Sequence, residues 1–148
     1  VYEKTGGFDT SLFHAADWEM WMRAASVGLV GFLDRPYILY RRHSDSDTSR
    51  LVRMGENMAD TMDALTLGLR RLPVRQRYRI RCDSEKHYSR YALRYRRKLT
   101  QVGCYRGAFA QSQWAFRLDP SLWNLLRLFR SYLRLALKAG LRYFSQET

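Results

Sequence analysis

Apolar and polar residues are distributed differently on the two sides of residue 50. Short apolar runs alternate with turn residues before it, and helical spacing continues with few breaks after it. In the first part Gly6-Gly7 marks a turn or close-approach loop. Trp18, Trp21, Met22 and Ala25 then recur at helical spacing ahead of Gly28, a candidate C-terminal cap. Val30 to Leu33 and Tyr37 to Tyr40 are β-prone runs on either side of Asp34-Arg35-Pro36, which predicts two short strands near residues 30–41. Strand alternation places Tyr37, Leu39, Arg41 and His43 on one side. The second part predicts helices near 51–71, 75–102, 105–117 and 121–144, punctuated by Pro73, Gly103 and the Asp119-Pro120 step. The expected organisation is a mixed region over 1–49 and a helical region over 50–148, mainly α overall, with no repeat covering the chain.

With 148 residues, 46% of them hydrophobic and 14% aromatic, the chain can bury one domain-sized core. Cys82 and Cys104 have neither metal-site spacing nor the density of a disulfide scaffold, which points to a reducing setting such as the cytosolic face of a membrane. The chain starts at Val1 with no charged-then-apolar leader, so the start reads as an internal cut without a secretory signal. A spanning helix is not expected, because no run of about 18 uninterrupted apolar residues occurs. A peripheral position on the membrane's inner face stays open. The net charge of +12 attracts anions and does not choose among nucleic acid, acidic lipid and phosphorylated substrates.

Residues 1–49 contain, in order, Gly6-Gly7-Phe8-Asp9, Ala16-Asp17-Trp18-Glu19-Met20-Trp21-Met22-Arg23, Pro36, and Tyr40-Arg41-Arg42-His43. This string resembles the second half of the catalytic domain of family-2, GT-A-type glycosyltransferases. There a Gly-Gly-Phe-Asp turn leads to a Glu-Asp-Trp helix, and a Tyr-Arg-x-His segment follows roughly two dozen residues later. The resemblance covers about a third of the chain and implies an α/β parent fold, of which these residues are the C-terminal part. It also implies an enzyme that moves a sugar from a nucleotide-sugar donor to a glycan or lipid-linked acceptor, with inversion, using Mn2+ or Mg2+ when complete. Ala16 stands where the family carries Glu, so the acidic pair is reduced to Asp17. The family's nucleotide-binding half, with its Asp-x-Asp metal motif, would lie upstream of Val1, and the isolated chain is expected to be inactive. Asp45-Ser46-Asp47 imitates that motif but sits among serines after the His segment, and reads as a polar loop.

Inverting transfer needs a base beside the acceptor hydroxyl, and the resemblance gives that role to Asp17. A carboxylate opening a helix is held ionised by free N–H groups and the dipole; the plainer reading is a helix N-cap. The departing diphosphate calls for cations, which makes Arg41, Arg42 and His43 candidate donor-diphosphate residues, His43 also a candidate metal ligand. Alternation favours Arg41 over Arg42, and each of the three has a structural or solvated alternative. Gly6, Gly7 and Trp18 are candidate acceptor contacts, with a tight turn and a core aromatic as the alternatives, the latter favoured for Trp18.

Between Arg70 and Lys98 twelve Lys or Arg residues stand against two acids, Asp83 and Glu85, with Tyr78, Tyr88, Tyr91 and Tyr95 among them. Such a face suits phosphates and stacking, but no recognised nucleic-acid motif accompanies it, and nucleic acid is not favoured. In the last predicted helix Arg127, Arg130, Arg134, Lys138 and Arg142 recur every three or four residues, and no acid occurs between Pro120 and Gln146. Leu122, Leu125, Leu126, Phe129, Leu133, Leu137, Leu141 and Phe144 add a broad apolar surface. That pattern fits a helix on an anionic membrane surface, or one packed on its own domain with its cations in water. Two non-catalytic alternatives remain: a membrane-surface adaptor, and a helical interaction module. The second rests on Tyr105-Arg106-Gly107-Ala108, Ala110, Ala115 and Asp119-Pro120, which resemble half a tetratricopeptide unit.

Overall fold

The structure, a computed structural model, describes the backbone of residues 1–41, 43 and 45–144, and side chains as far as Lys138. The described residues form seven helices: α1 (Tyr2–Thr5), α2 (Ala16–Ala25), α3 (Asp47–Met54), α4 (Asn57–Leu69), α5 (Val74–Gln101), α6 (Tyr105–Leu118) and α7 (Leu122–Phe144). The mainly helical character expected from the sequence is present. The two short strands expected near residues 30–41 are not: among the described residues there is no strand. A strand needs a neighbour to satisfy its N–H and C=O groups, and two four-residue runs are too short to stand as a hairpin alone. Leu29, Phe32, Ile38 and Leu39 of this segment are correspondingly exposed.

Helix boundaries follow local chemistry. Ser46 caps α3, its Oγ accepting the Ser49 N–H at 3.2 Å. The single helix expected over 51–71 is two, because Gly55 closes α3 in the left-handed conformation at φ 81°. That break is also a packing requirement, since a Cβ at Gly55 would stand 2.6 Å from the Ala110 Cβ of α6. α2 ends at Ser26 rather than Gly28, and Ser26 Oγ donates to the Arg23 carbonyl at 2.7 Å. The buried residues of α2 are Glu19 and Met20, whereas Trp21 and Ala25 of the anticipated stripe are exposed. α5, α6 and α7 lie close to their predicted spans, bounded by Pro73, Gly103 and Pro120.

α5 and α6 share the largest helix interface, and α7 packs on α6. The short connection through residues 102–104 turns the chain back on itself, as in an antiparallel helix pair. The buried residues of the pair are Ser89, Ala92 and Leu99 from α5 and Gly107, Ala108, Gln111, Ser112 and Ala115 from α6, most of them small. Polar side chains tie the seams together. Gln111 Nε2 donates to the Val52 carbonyl at 3.0 Å and to Asn57 Oδ1 at 2.8 Å. Ser89 Oγ donates to the Ala115 carbonyl at 3.0 Å, and Trp114 Nε1 to the Gly55 carbonyl at 2.9 Å. A row of rings, Trp18, Tyr88, Tyr91 and Tyr95, runs along α5, with successive centroids 5.8, 6.0 and 4.8 Å apart.

Two stability measurements follow. Gly103 is also left-handed, at φ 71°, but a Cβ there meets open space. Gly103→Ala should therefore cost about 1–2 kcal/mol, the left-handed penalty alone. Gly55→Ala should cost about 1–3 kcal/mol more, through overpacking against α6, in urea titrations; equal losses would show that α6 does not press on Gly55. Burial first, then the hydrogen bond with Tyr95, raises the Tyr91 hydroxyl above its ordinary 10.0. The folded chain thus holds that proton more tightly than the unfolded one. The linked stability is complete below about pH 10 and is lost as the pH climbs through the raised value. The urea midpoint should fall in that alkaline range, and less steeply in Tyr91→Phe.

Candidate functional site

No side chain caps α2 at its first turn, where Ala15 holds the N-cap position. The carboxylate of Asp60, on α4, instead holds the segment that leads into the helix. It accepts the N–H groups of Phe13, His14 and Ala15 at 3.0, 2.7 and 2.6 Å. Asp17 is therefore not the N-cap of its helix. It is exposed in the first turn of α2, with Oδ1 accepting the Trp18 N–H at 2.7 Å. Asp60 was invisible in the sequence because the groups it binds lie 45 to 47 positions away.

The glycine turn and the Asp17 helix are held together by the Arg23 guanidinium. Arg23 Nη2 meets Glu19 Oε2 at 2.7 Å, with side-chain exposures of 11% and 4%. The same guanidinium donates to the Thr5 carbonyl at 2.7 Å and to the Gly7 carbonyl at 2.8 Å. Gly6 needs its left-handed φ of 77° to make this turn, and Gly7 has open space around it. Hydrogen bonds from Ser11 Oγ and Ser11 N, at 2.6 and 3.0 Å, hold the Asp9 carboxyl below the usual carboxylate range. Trp18 is half-buried: it packs against the Leu12–Ala15–Ala64 cluster and meets the edge of Tyr88. That is the geometry of a core aromatic, with part of one side left to a shallow cleft it shares with His87 and Tyr88.

A second feature forms where the Tyr40-Arg41 segment meets α3 and α5. The hydroxyls of Ser46 and Ser49 donate to the His43 carbonyl at 3.0 and 2.9 Å, pinning the segment to the start of α3. Beside this anchor lies a cavity of about 420 Å³. Arg41, Arg53 and Lys98 bring three cations to its wall, Ser46, Thr48 and Ser49 bring hydroxyls, and among the described residues no carboxylate lines it. Val52 and Leu99, part of a buried cluster with Ala108, give it an apolar floor. Lys98 Nζ stands 5.5 Å from the Tyr95 ring centroid, a cation–π contact. Such a lining suits a phosphate or diphosphate joined to an apolar or sugar group. Arg53 and Lys98 escaped sequence reasoning because nothing in their local pattern separates them from other cations.

Of the anticipated diphosphate residues, Arg41 lies on this wall. His43 is exposed beyond it, and Arg42 falls outside the described residues. Asp17 is not on the wall either. The ring row links the two places, but the stretch of helix from Tyr88 to Tyr95 alone spans about 10 Å. The candidate base and the cationic cavity are therefore separate features of this chain. Asp45-Ser46-Asp47 forms the start of α3, where Asp47 pairs with Arg50 at 3.4 Å. Among the described residues no three His, Cys, Asp or Glu side chains come together as a metal site.

The cavity predicts a measurable affinity. Inorganic pyrophosphate added to the 148-residue chain should shift the NMR signals of Thr48, Ser49 and Val102. Lys98→Ala and Arg41→Ala should each weaken that binding about tenfold or more, the effect of losing one charge-assisted hydrogen bond. Unchanged affinity in both variants would place the anion elsewhere. In comparisons with known proteins, no family model, no curated protein and no solved structure matches the chain.

Proposed function

We propose that the chain is the acceptor-side, C-terminal part of a GT-A-type, family-2-like glycosyltransferase, whose complete form transfers a sugar from a nucleotide donor to a glycan or lipid-linked acceptor. The observation that carries this reading is the physical coupling of the motifs that raised it. Arg23, from the Asp-Trp helix, donates to the carbonyl of Gly7 in the Gly-Gly-Phe-Asp turn, while Glu19 of the same helix pairs with its guanidinium. Asp17 is left exposed in the first turn of that helix.

In this reading Asp17 takes the proton of the acceptor hydroxyl as its oxygen attacks the anomeric carbon, and the nucleoside diphosphate leaves from the opposite face, inverting the centre. Gly6 and Gly7 let backbone approach the acceptor sugar. The cations of the cavity hold a phosphate of a substrate, either the donor's diphosphate or the phosphate of a lipid-linked acceptor. The donor's diphosphate is bonded to the carbon under attack, so the distance of these cations from Asp17 favours the phosphate of a lipid-linked acceptor. The unpaired runs near residues 30–41 fit an α/β parent fold, in which they would gain strand neighbours from the nucleotide-binding half. That half would also supply the donor's nucleoside contacts and the ligands for Mn2+ or Mg2+, a Lewis acid on the departing diphosphate.

The test is a sugar-transfer assay on the complete product of the gene. Asp17→Asn should lower kcat by about 10²–10⁴-fold, the usual worth of a positioned general base, with donor KM little changed. Lys98→Ala should raise KM for whichever substrate places its phosphate in the cavity. Turnover within twofold of the parent in Asp17→Asn would refute the assignment.

A further inference from the structure

α7 turns the wrong face inward for a helix held by apolar burial. Asn124 and Ser131 are buried, with Leu128 and Leu135 half-buried, and at 3.6 residues per turn these four form one stripe. The stripe docks through polar contacts: Ser131 Oγ is hydrogen-bonded with Ser112 Oγ at 2.8 Å, and Asn124 Nδ2 donates to the Asp119 carbonyl at 2.9 Å. Lys138 Nζ donates to the Gly103 carbonyl at 3.0 Å. The opposite face carries Leu122, Leu125, Leu126, Phe129, Leu133 and Leu137, each between 43% and 69% exposed. The side chains of Leu141, Arg142 and Phe144 lie outside the described residues.

Between the buried stripe and this apolar face runs a cationic edge of Arg127, Arg130 and Arg134. Arg96 of α5 faces the same edge. Burial, then repulsion from Arg127, Arg134, Arg97 and Arg130, pulls its guanidinium below the usual arginine value. Its buried Nε finds no acceptor among the described residues. Four guanidiniums thus converge in a stretch where the sequence provides no acid from Pro120 to Gln146, directly beside a continuous apolar surface.

A matching partner must be anionic and apolar at adjacent depths. A second copy of this chain would bring the same four cations and be repelled, and a nucleic acid would leave the leucines in water. A bilayer interface with acidic headgroups offers both properties. We infer that α7 and Arg96 form a docking surface for an anionic membrane. The helix lies in the bilayer plane, with Leu126, Phe129 and Leu133 at the acyl boundary and Arg96, Arg127, Arg130 and Arg134 on lipid phosphates. Among the described residues no helix is long and apolar enough to cross a membrane, so the contact is peripheral. The inference does not depend on the transferase reading.

The test is co-sedimentation of the 148-residue chain with two kinds of vesicle, phosphatidylcholine alone and phosphatidylcholine mixed with phosphatidylglycerol. Binding should favour the mixed vesicles and fall as salt rises. Arg130→Ala and Arg134→Ala should each weaken it about fivefold, from about 1 kcal/mol per cation near the surface. Leu133→Ser with Leu137→Ser should weaken it at low salt too, with circular dichroism confirming that the fold is kept. The inference is overturned by equal pelleting with neutral vesicles or by undiminished binding of folded arginine variants. It is equally overturned by absent vesicle binding, whether or not the chain instead dimerises through these leucines or binds RNA through these arginines.

Discussion

A Cβ on Gly107 of α6 would lie 2.5 Å from the carbonyl oxygen of Arg53 at the end of α3, and one on Gly55 would meet Ala110 almost as closely. α6 therefore rests nearly backbone to backbone on the α3–α4 corner, while Ala92 and Ala115 allow a similar approach to α5. The closest approaches fall at Gly, Ala and Ser, with Leu99 and Met58 buried beside them. Gln111, Ser89, Ser112 and Asn124 add directed hydrogen bonds across or beside these seams. Each such donor is costly to leave unpaired in a buried setting, so these contacts fix the helix registers as much as they stabilise them.

That constraint decides what is left outside. With the seams occupied by small and polar residues, the large apolar residues of α7 and of residues 29–40 remain on the surface. Chance exposure of single leucines is ordinary, whereas continuous faces of this kind point to partners. The two faces differ in chemistry. α7 sets its apolar side next to arginines, which suits acidic lipid. The 29–40 segment is extended and β-prone, with backbone groups that another strand could satisfy.

The candidate site is built on the same principle of support from afar. Asp60 fixes the entry to α2 from another helix, and Arg23 fixes the glycine turn from within α2, with Asp17 exposed between them. The cationic cavity relies on a different frame, the junction of α3 with α5, and the aromatic row along α5 is the physical link between the two.

Much of this was legible in the sequence because it depends on neighbours along the chain. Gly103 and Pro120 follow helix ends and Pro73 precedes a helix start through their own backbone limits, and the spacing of Arg127, Arg130 and Arg134 sets them along one helix edge wherever the helix goes. The order of Gly6-Gly7, Asp17-Trp18 and Tyr40-Arg41 along the chain suggested a role before any geometry was known. Tertiary structure alone decided that residues 30–41 are not strands, since pairing needs a partner that propensity cannot supply. It alone set Glu19 and Arg23 inside, Asn124 and Ser131 inward and the leucines of α7 outward. Periodicity states which residues share a face, but the direction of that face is chosen by what the neighbouring helices have room to bury.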